Sequence, residues 1–405
     1  MHHAVARPAA ALRLASAATL ALLAAACGDP STAPARAPVA AATAEKGGNG
    51  KGVGEPIAGQ YIVVFRDAVD DVDGKAKEKA GKHKGKLKHV YAAALKGFAG
   101  ELSDEAAEAL RADPDVAYVE QDQMVYATAT QSGAPWGLDR IDQRARPLSG
   151  TYTYTSTGSG VRAYIIDTGI QTGHPQFGGR ASVGYDAVGD GRNGQDCNGH
   201  GTHVAGTVGA STYGVAKGVQ LRAVRVLNCQ GSGSNSGVIA GINWVAQNRQ
   251  APAVANLSLG GGASTAVDAA INNLANAGVF VAVAAGNENQ NACNVSPARA
   301  ANATTVAATT STDAKASYSN FGSCVDVYAP GSNITSTWIG SSTNTISGTS
   351  MATPHVAGVA ALYKATYGDA SFATIRSWIA SNATANVVTG NPTGTPNRLL
   401  YKAGL

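Results

Sequence analysis

From about Ala129 onward, apolar runs alternate with polar, glycine-rich stretches. The runs are VRAYIID (161–167), LRAVRVL (221–227), AVANLSL (253–259), VFVAVAA (279–285) and CVDVYAP (324–330). Unbroken runs of this length suit strands buried on both faces of a parallel sheet. Between them, GTHVAGTVGA (201–210), SGVIAGINWVAQN (236–248) and STAVDAAINNLANAG (264–278) read as helices. A further apolar helix follows Ser350 through Met351, Val356, Val359 and Leu362. Alternating strands and helices predict an α/β fold: a doubly wound, mostly parallel sheet with helices on both faces. Sites in such sheets lie at the carboxyl ends of strands.

Residues 57–128 have a different texture and predict a second, smaller unit. GQYIVVF (59–65) alternates as a strand does, and LKGFAGEL (95–102) reads as another. Ser103 then caps a helix over DEAAEALRADP, with Ala106 where a full capping box would need Glu or Gln. Pro114 ends that helix, and VAYVEQDQMVYA (116–127) is a strand with an extended tail. The order β-α-β-β-α-β makes a small α+β, ferredoxin-like fold. Seven lysines fall between Lys75 and Lys88. They read as a solvated helix face rather than a patch for an acidic partner.

The N-terminus is of another kind again. Arg7 and Arg13 precede an apolar run from Leu14 to Ala26, the layout of an export signal over 1–27. Cys27 follows LLAAA directly and resembles the acylated cysteine of bacterial lipoprotein signals. Ala24 stands where such signals usually carry Leu. Acylation and simple cleavage both remain open, and either exports the chain. Residues 28–56 hold almost no large apolar side chains and read as a disordered linker. The chain has 405 residues, 44% of them apolar, enough for a sizeable core. A formal charge of +4 gives no argument for nucleic acid or an anionic membrane.

Three short motifs carry the chemistry. Ser350 lies in GTSMATPHVAG at a helix start, where free N–H groups and the helix dipole favour an oxyanion. Pro354 is expected in the first turn, where its missing N–H costs little. Alone, Ser350 would read as an N-cap. Two partner motifs change that reading. Asp167 ends the run VRAYIID, and His200 lies in NGHGTHVAG at a helix entrance. An imidazole can take the serine proton and return it to a leaving amine, while a carboxylate fixes its tautomer. Asn287, in AVAAGNEN, can donate to a tetrahedral oxyanion together with the Ser350 N–H. The order acid, imidazole, alcohol is that of the subtilisins. His174, His203 and His355 are assigned to structure, and no HExxH zinc pattern occurs. A lipase-type GxSxG does not surround Ser350. A silent module that captures extended peptides is the alternative from another class.

With WGLDRIDQR, YIIDTGI, NGHGTHVAG, VANLSLGGG, AVAAGN, SPAR and GTSMATPHVAG in place, 129–405 resembles the subtilisin-like serine proteases. Within them it is similar to the proteinase K branch and to aqualysin-type secreted bacterial enzymes. One departure is Val204, where proteinase K has a cysteine. Residues 57–128 resemble the inhibitory propeptide of that family, through YIVVF, LKGFAGEL and DPDVAYVEQD. The resemblance implies a secreted, monomeric serine endopeptidase made as an inhibited precursor. Its partners are then protein and peptide substrates and its own propeptide. The tail Met124–Thr128 would lie in the groove, with cleavage near Thr128–Ala129.

The resemblance also implies substrate pairing along Gly231, Ser232 and Gly233 and along Ser258, Leu259 and Gly260. Main-chain pairing of this kind makes little sequence demand. The glycine-lined pocket implies broad specificity with an apolar or aromatic residue before the cut. Four cysteines besides Cys27 allow three pairings, and the resemblance selects Cys197–Cys229 and Cys293–Cys324. It further implies structural calcium at two places. One is the set Asp139, Asp142, Gln143, Ser149 and Thr151. The other is Asp326 with the carbonyls of Ala301 and Ala303.

Overall fold

The computed structural model describes residues 56–123 and 129–405. The expectations for the leader, for Cys27, for the linker up to residue 55 and for the tail 124–128 lie outside the described residues.

Strand Pro56–Phe65, helix Val72–Lys82, strands Lys86–Tyr91 and Gly97–Glu101, helix Asp104–Arg111 and strand Val116–Gln123 follow one another. This is the β-α-β-β-α-β order the sequence predicts. Alternation in the first strand puts Tyr61, Val63 and Phe65 against Phe98, Ala107 and Leu110, which form a separate small core. The Ser103 hydroxyl accepts from the Ala106 N–H at 3.2 Å, as a cap should. The lysine run departs from expectation. It divides between the helix and the strand Lys86–Tyr91, and Lys79 is buried. Its ammonium sits 2.8 Å from Asp113 and 3.0 Å from Asp115, the two acids flanking Pro114. A long-range acidic turn thus turns one member of a seemingly solvated face inward.

The larger unit is built on a nine-stranded sheet. Its order is Thr384–Ala385, Arg398–Leu399, Val327–Pro330, Thr304–Thr309, Phe280–Ala284, Ala253–Leu257, Arg162–Asp167, Gln220–Arg225 and Ala181–Asp186. All pairings are parallel except that of the two shortest strands. Ala253–Leu257 and Phe280–Ala284 are buried throughout, because helices cover both faces. Helices His200–Gly209 and Thr349–Tyr367 pack together on one face, and Asn235–Asn248 and Thr265–Asn276 pack together on the other. Strands Ala181–Asp186 and Thr304–Thr309, the helix Phe372–Asn382 and the hairpin Ile334–Trp338/Ser342–Ile346 were not foreseen. The hairpin packs on the helix that begins at His200.

Candidate active site

Asp167 closes its strand between Gln220–Arg225 on one side and Ala253–Leu257 on the other. The chain crosses from one neighbour to the other, so Asp167 marks the point where strand order reverses, the usual ligand position in open sheets. The side chain is fully buried. Its Oδ1 accepts from the Thr168 N–H at 2.7 Å and lies 2.8 Å from His200 Nδ1. Oδ2 has no hydrogen-bond partner among the described residues. A carboxylate can only accept, so this contact puts a proton on Nδ1 and leaves the Nε2 lone pair free.

A lattice of donors around Asp196 fixes His200. Asp196 Oδ1 accepts from Thr168 Oγ1, Asn198 N and Gly199 N, each at 2.9 Å. Its Oδ2 accepts from Thr202 N at 2.9 Å and Thr202 Oγ1 at 2.6 Å. The acid therefore takes the free Thr202 N–H of the helix start and, through Thr168, joins the helix to the strand that bears Asp167. Gly199 has φ +109°, and a Cβ there would meet the Trp338 ring at 2.4 Å. Only glycine turns the chain at this point. The His200 side chain is 25% exposed. Burial pulls its pKa down, but the charge and hydrogen bond of Asp167, with help from Asp196, outweigh burial and hold it above the ordinary 6.5.

Ser350 is not a cap. Gly348 occupies that position, and Ser350 lies in the first turn of helix Thr349–Tyr367. Pro354 lies inside the helix, beyond the first turn where it was expected. A proline there leaves the carbonyl four residues earlier without its N–H partner. That carbonyl belongs to Ser350, and the buried Ser258 hydroxyl donates to it at 2.8 Å. The Ser350 hydroxyl in turn donates to the Ser258 carbonyl at 3.1 Å. The two serines are thus clasped, with the Ser350 proton directed at main chain. Catalytic hydrogen bonds often form only once substrate is bound.

Asn287 follows Gly286, whose φ is +101° and whose Cβ would strike the Asn320 amide at 2.2 Å. Asn287 Oδ1 accepts from Thr349 N at 2.8 Å and Thr349 Oγ1 at 3.0 Å. This fixes the amide orientation and leaves the Nδ2 hydrogens for another acceptor. Asn287 and Ser350 line one cavity of about 440 Å³. His200, Gly231–Gly233 and Ser258–Gly260 line a second of about 530 Å³. Leu259, Gly260 and Gly261 border both, so one ribbon runs from the imidazole side to the alcohol side. Glu288, an exposed acid, also lines the smaller cavity.

Both disulfides are formed, Cys197–Cys229 and Cys293–Cys324. The first ties the His200 loop to the start of Gly231–Gly233. His203 Nε2 lies 3.0 Å from the Ile334 carbonyl, and His355 Nδ1 lies 2.9 Å from the Met351 carbonyl. Burial pushes both down to about 4. His174 caps a short turn through Gln176 N, and Val204 is buried in the main core.

The two expected calcium sets behave differently. In the first, Asp139 accepts from Ser149 N, Ser149 Oγ and Gly150 N. Gln143 Oε1 lies 3.1 Å from Ser149 N, and Ser149 Oγ lies 2.8 Å from Thr151 Oγ1. The side-chain atoms of this set that could ligate an ion are all oxygens, as calcium prefers. Asp142 stands apart, 2.9 Å from the buried Lys402 ammonium. In the second set, the Arg376 guanidinium lies between the expected ligands. Its Nε and Nη2 donate to Asp326 Oδ1 at 2.8 and 2.6 Å, and its Nη1 donates to the Ala301 carbonyl at 2.9 Å. Thr305 N donates to Asp326 Oδ2 at 2.8 Å. Ala303 lies just before strand Thr304–Thr309. A divalent ion does not fit while the guanidinium holds these oxygens.

Sequence reasoning missed Asp196, the hydroxyl of Ser258, Glu288 and Arg376. Asp196 left one signal, an acid just ahead of a helix start. The other three act through contacts remote in sequence.

The chain is similar to known proteins over both of its units. Residues 158–400 match the subtilase family model, and residues 60–128 match that of the peptidase inhibitor I9 family. An extracellular serine proteinase of Thermus sp. (strain Rt41A) is 54% identical over 386 residues, covering 90% of this chain and 94% of that one. Proteinase R of Parengyodontium album is 48% identical over 356 residues, covering 86% and 90% respectively. The crystal structure of a cold adapted subtilisin-like serine proteinase superposes with a TM-score of 0.66 at 55% identity. It covers 67% of this chain and 99% of that one.

Proposed function

The chain belongs to the subtilase family and is a subtilisin-like serine proteinase with an inhibitor I9 propeptide, and from this we propose that Asp167, His200, Ser350 and Asn287 are its catalytic residues. The observation that carries the reading is the 2.8 Å pair of a buried Asp167 and His200 at the sheet's reversal point, with a cleft ribbon leading on to Ser350.

In this reading the peptide lies along Gly231–Gly233 and Ser258–Gly260 as an added strand. Ser350 Oγ leaves the Ser258 carbonyl and attacks the scissile carbonyl carbon, while His200 Nε2 takes its proton. The new C–O⁻ is met by Asn287 Nδ2 and the Ser350 N–H. The C–N bond then breaks, with His200 returning the proton to the amine, and an acyl-Ser350 ester remains. Water attacks the ester by the same proton route, releasing the acid and restoring Ser350. Asp167 holds the imidazole tautomer and balances the imidazolium charge. Recognition through main chain supports broad specificity, and Ala284 and Val295 in the smaller cavity support an apolar residue before the cut. Glu288 at the same cavity supports tolerance of a long basic side chain there as well.

We further assign 1–27 as an export leader, 28–56 as a linker, 57–128 as the propeptide and 129–405 as the enzyme. The extracellular character of the Thermus relative supports secretion, with release or anchoring decided at Cys27. The enzyme acts as a monomer, and the propeptide is its intramolecular inhibitor. Calcium is assigned to the Asp139 loop, held by Asp139, Gln143, Ser149 and Thr151, while Asp142 is left out because Lys402 holds it. When bound it supplies fixed positive charge to a loop rich in oxygen.

Purified Ser350→Ala precursor tests the reading. We expect it to keep its full length under conditions in which the unaltered precursor loses 57–128. Self-maturation of the variant at the normal rate refutes the assignment.

A further inference from the structure

We propose that Arg376 is a built-in cation that replaces calcium at the Asp326 position, so that this part of the fold is held without a metal. The inference rests on family membership for the expected ligands and on contacts of this chain for the outcome. It does not depend on the catalytic reading.

The place to be bridged is clear. Asp326 directly precedes strand Val327–Pro330, and Ala301 belongs to the turn leading into Thr304–Thr309. These strands are neighbours, and Asp326 already accepts from Thr305 N across the gap. The two segments present a carboxylate and a carbonyl at the same spot, and something positive must lie between them. A bound calcium would need both oxygens at about 2.3–2.6 Å. Instead the guanidinium spans them, with three N–H donors on Asp326 Oδ1 and the Ala301 carbonyl at 2.6 to 2.9 Å. The planar fork suits a carboxylate beside a second acceptor. It is also supported from behind, with its centre 5.8 Å from the Phe372 ring one helical turn earlier.

A second observation points the same way. Asp326 and Arg376 line a hollow of about 360 Å³ that Arg398 also lines. A second arginine at the same hollow adds positive potential there and weakens the pull of Asp326 on a divalent ion. Arg376 further ties a third element, helix Phe372–Asn382, to the same point. A free ion would join two segments and exchange with solvent. The arginine joins three and cannot leave.

The test reads bound metal rather than activity. Purified enzyme is equilibrated with millimolar calcium, and bound calcium per chain is measured for the unaltered protein, Asp326→Asn, Arg376→Ala and the double variant. We expect Asp326→Asn to leave bound calcium unchanged. Arg376→Ala should gain one ion per chain, and the double variant should lose that gain. The heat-inactivation half-life of Arg376→Ala should lengthen with added calcium several-fold more than that of the unaltered protein. A loss of one ion on Asp326→Asn overturns the proposal, because the metal then binds beside or in place of the arginine. No gain on Arg376→Ala overturns it as well. Should Arg376→Ala fail to fold, Arg376→Gln replaces it, and the Asp326→Asn comparison stands without either.

Discussion

Ser258→Ala isolates the clasp between the two serines. The substitution removes a hydroxyl that donates to the Ser350 carbonyl at 2.8 Å and accepts from Asn256 Nδ2 at 2.9 Å. Ser258 and Asn256 are only 3% and 1% exposed, so water does not replace the lost partner. Each orphaned group costs about 1–3 kcal/mol. The Ser350 share exists only because Pro354 has no N–H to offer. Pro354→Ala restores that N–H and lets the helix bond its own carbonyl. The cost of Ser258→Ala should therefore be smaller by about 1–3 kcal/mol in the Pro354→Ala background, which is the coupling term of a double-mutant cycle. The assay is the rate constant of irreversible heat inactivation at one temperature and fixed calcium, read as residual hydrolysis of a chromogenic peptide. Near room temperature that energy is a factor of about 5 to 150 in rate, reached in full where the helix start is open in the unfolding transition state. If Ser258→Ala accelerates inactivation by the same factor in both backgrounds, the hydroxyl does not stand in for the missing N–H.

Further outcomes are expected. Asn287→Ala should lower kcat about 10²- to 10³-fold with little change in KM, as for the equivalent donor in a subtilisin, and an equal rise in KM would mean a binding role instead. Hydrolysis should fall as the pH drops through a value above 6.5, where His200 gains its proton, and Asp167→Asn should cost about 10⁴-fold in kcat. The raised His200 value stabilises the fold below the unfolded pKa and ceases to do so as pH rises through the folded one. His203 and His355 act in the opposite sense: held at about 4, they resist protonation that the unfolded chain accepts near 6.5. Thermal midpoints measured against pH should therefore decline between about 6.5 and 4, and a flat profile contradicts that burial effect. A calcium chelator should shorten the heat-inactivation half-life of the unaltered enzyme but not that of Asp139→Asn, and equal sensitivity would remove the ion from that loop.

The central sheet was legible because its inner strands are unbroken apolar runs. Ala181–Asp186 escaped notice as a half-exposed edge strand, and Thr304–Thr309 because TTVAAT is buried yet lacks large side chains. The motifs around Asp167, His200, Ser350 and Asn287 could be read since each chemistry demands a particular side chain at an element's end. Pro354 was placed too early because a proline deep in a helix is tolerated only with a surrogate donor, and Ser258 lies far away in sequence. Glu288 and Arg376 depend on which distant segments the sheet brings together. Local spacing carries no trace of that.

The β-α-β-β-α-β unit keeps its apolar interior to itself, with Val63, Phe65, Phe98 and Leu110 sharing nothing with the interior beneath the large sheet. Severing the chain between the two therefore leaves each apolar interior closed. The leading piece is disposable in that sense, since its destruction leaves the larger interior whole. What is discarded cannot later be called on, so an unfolded mature chain has to find its way back unaided.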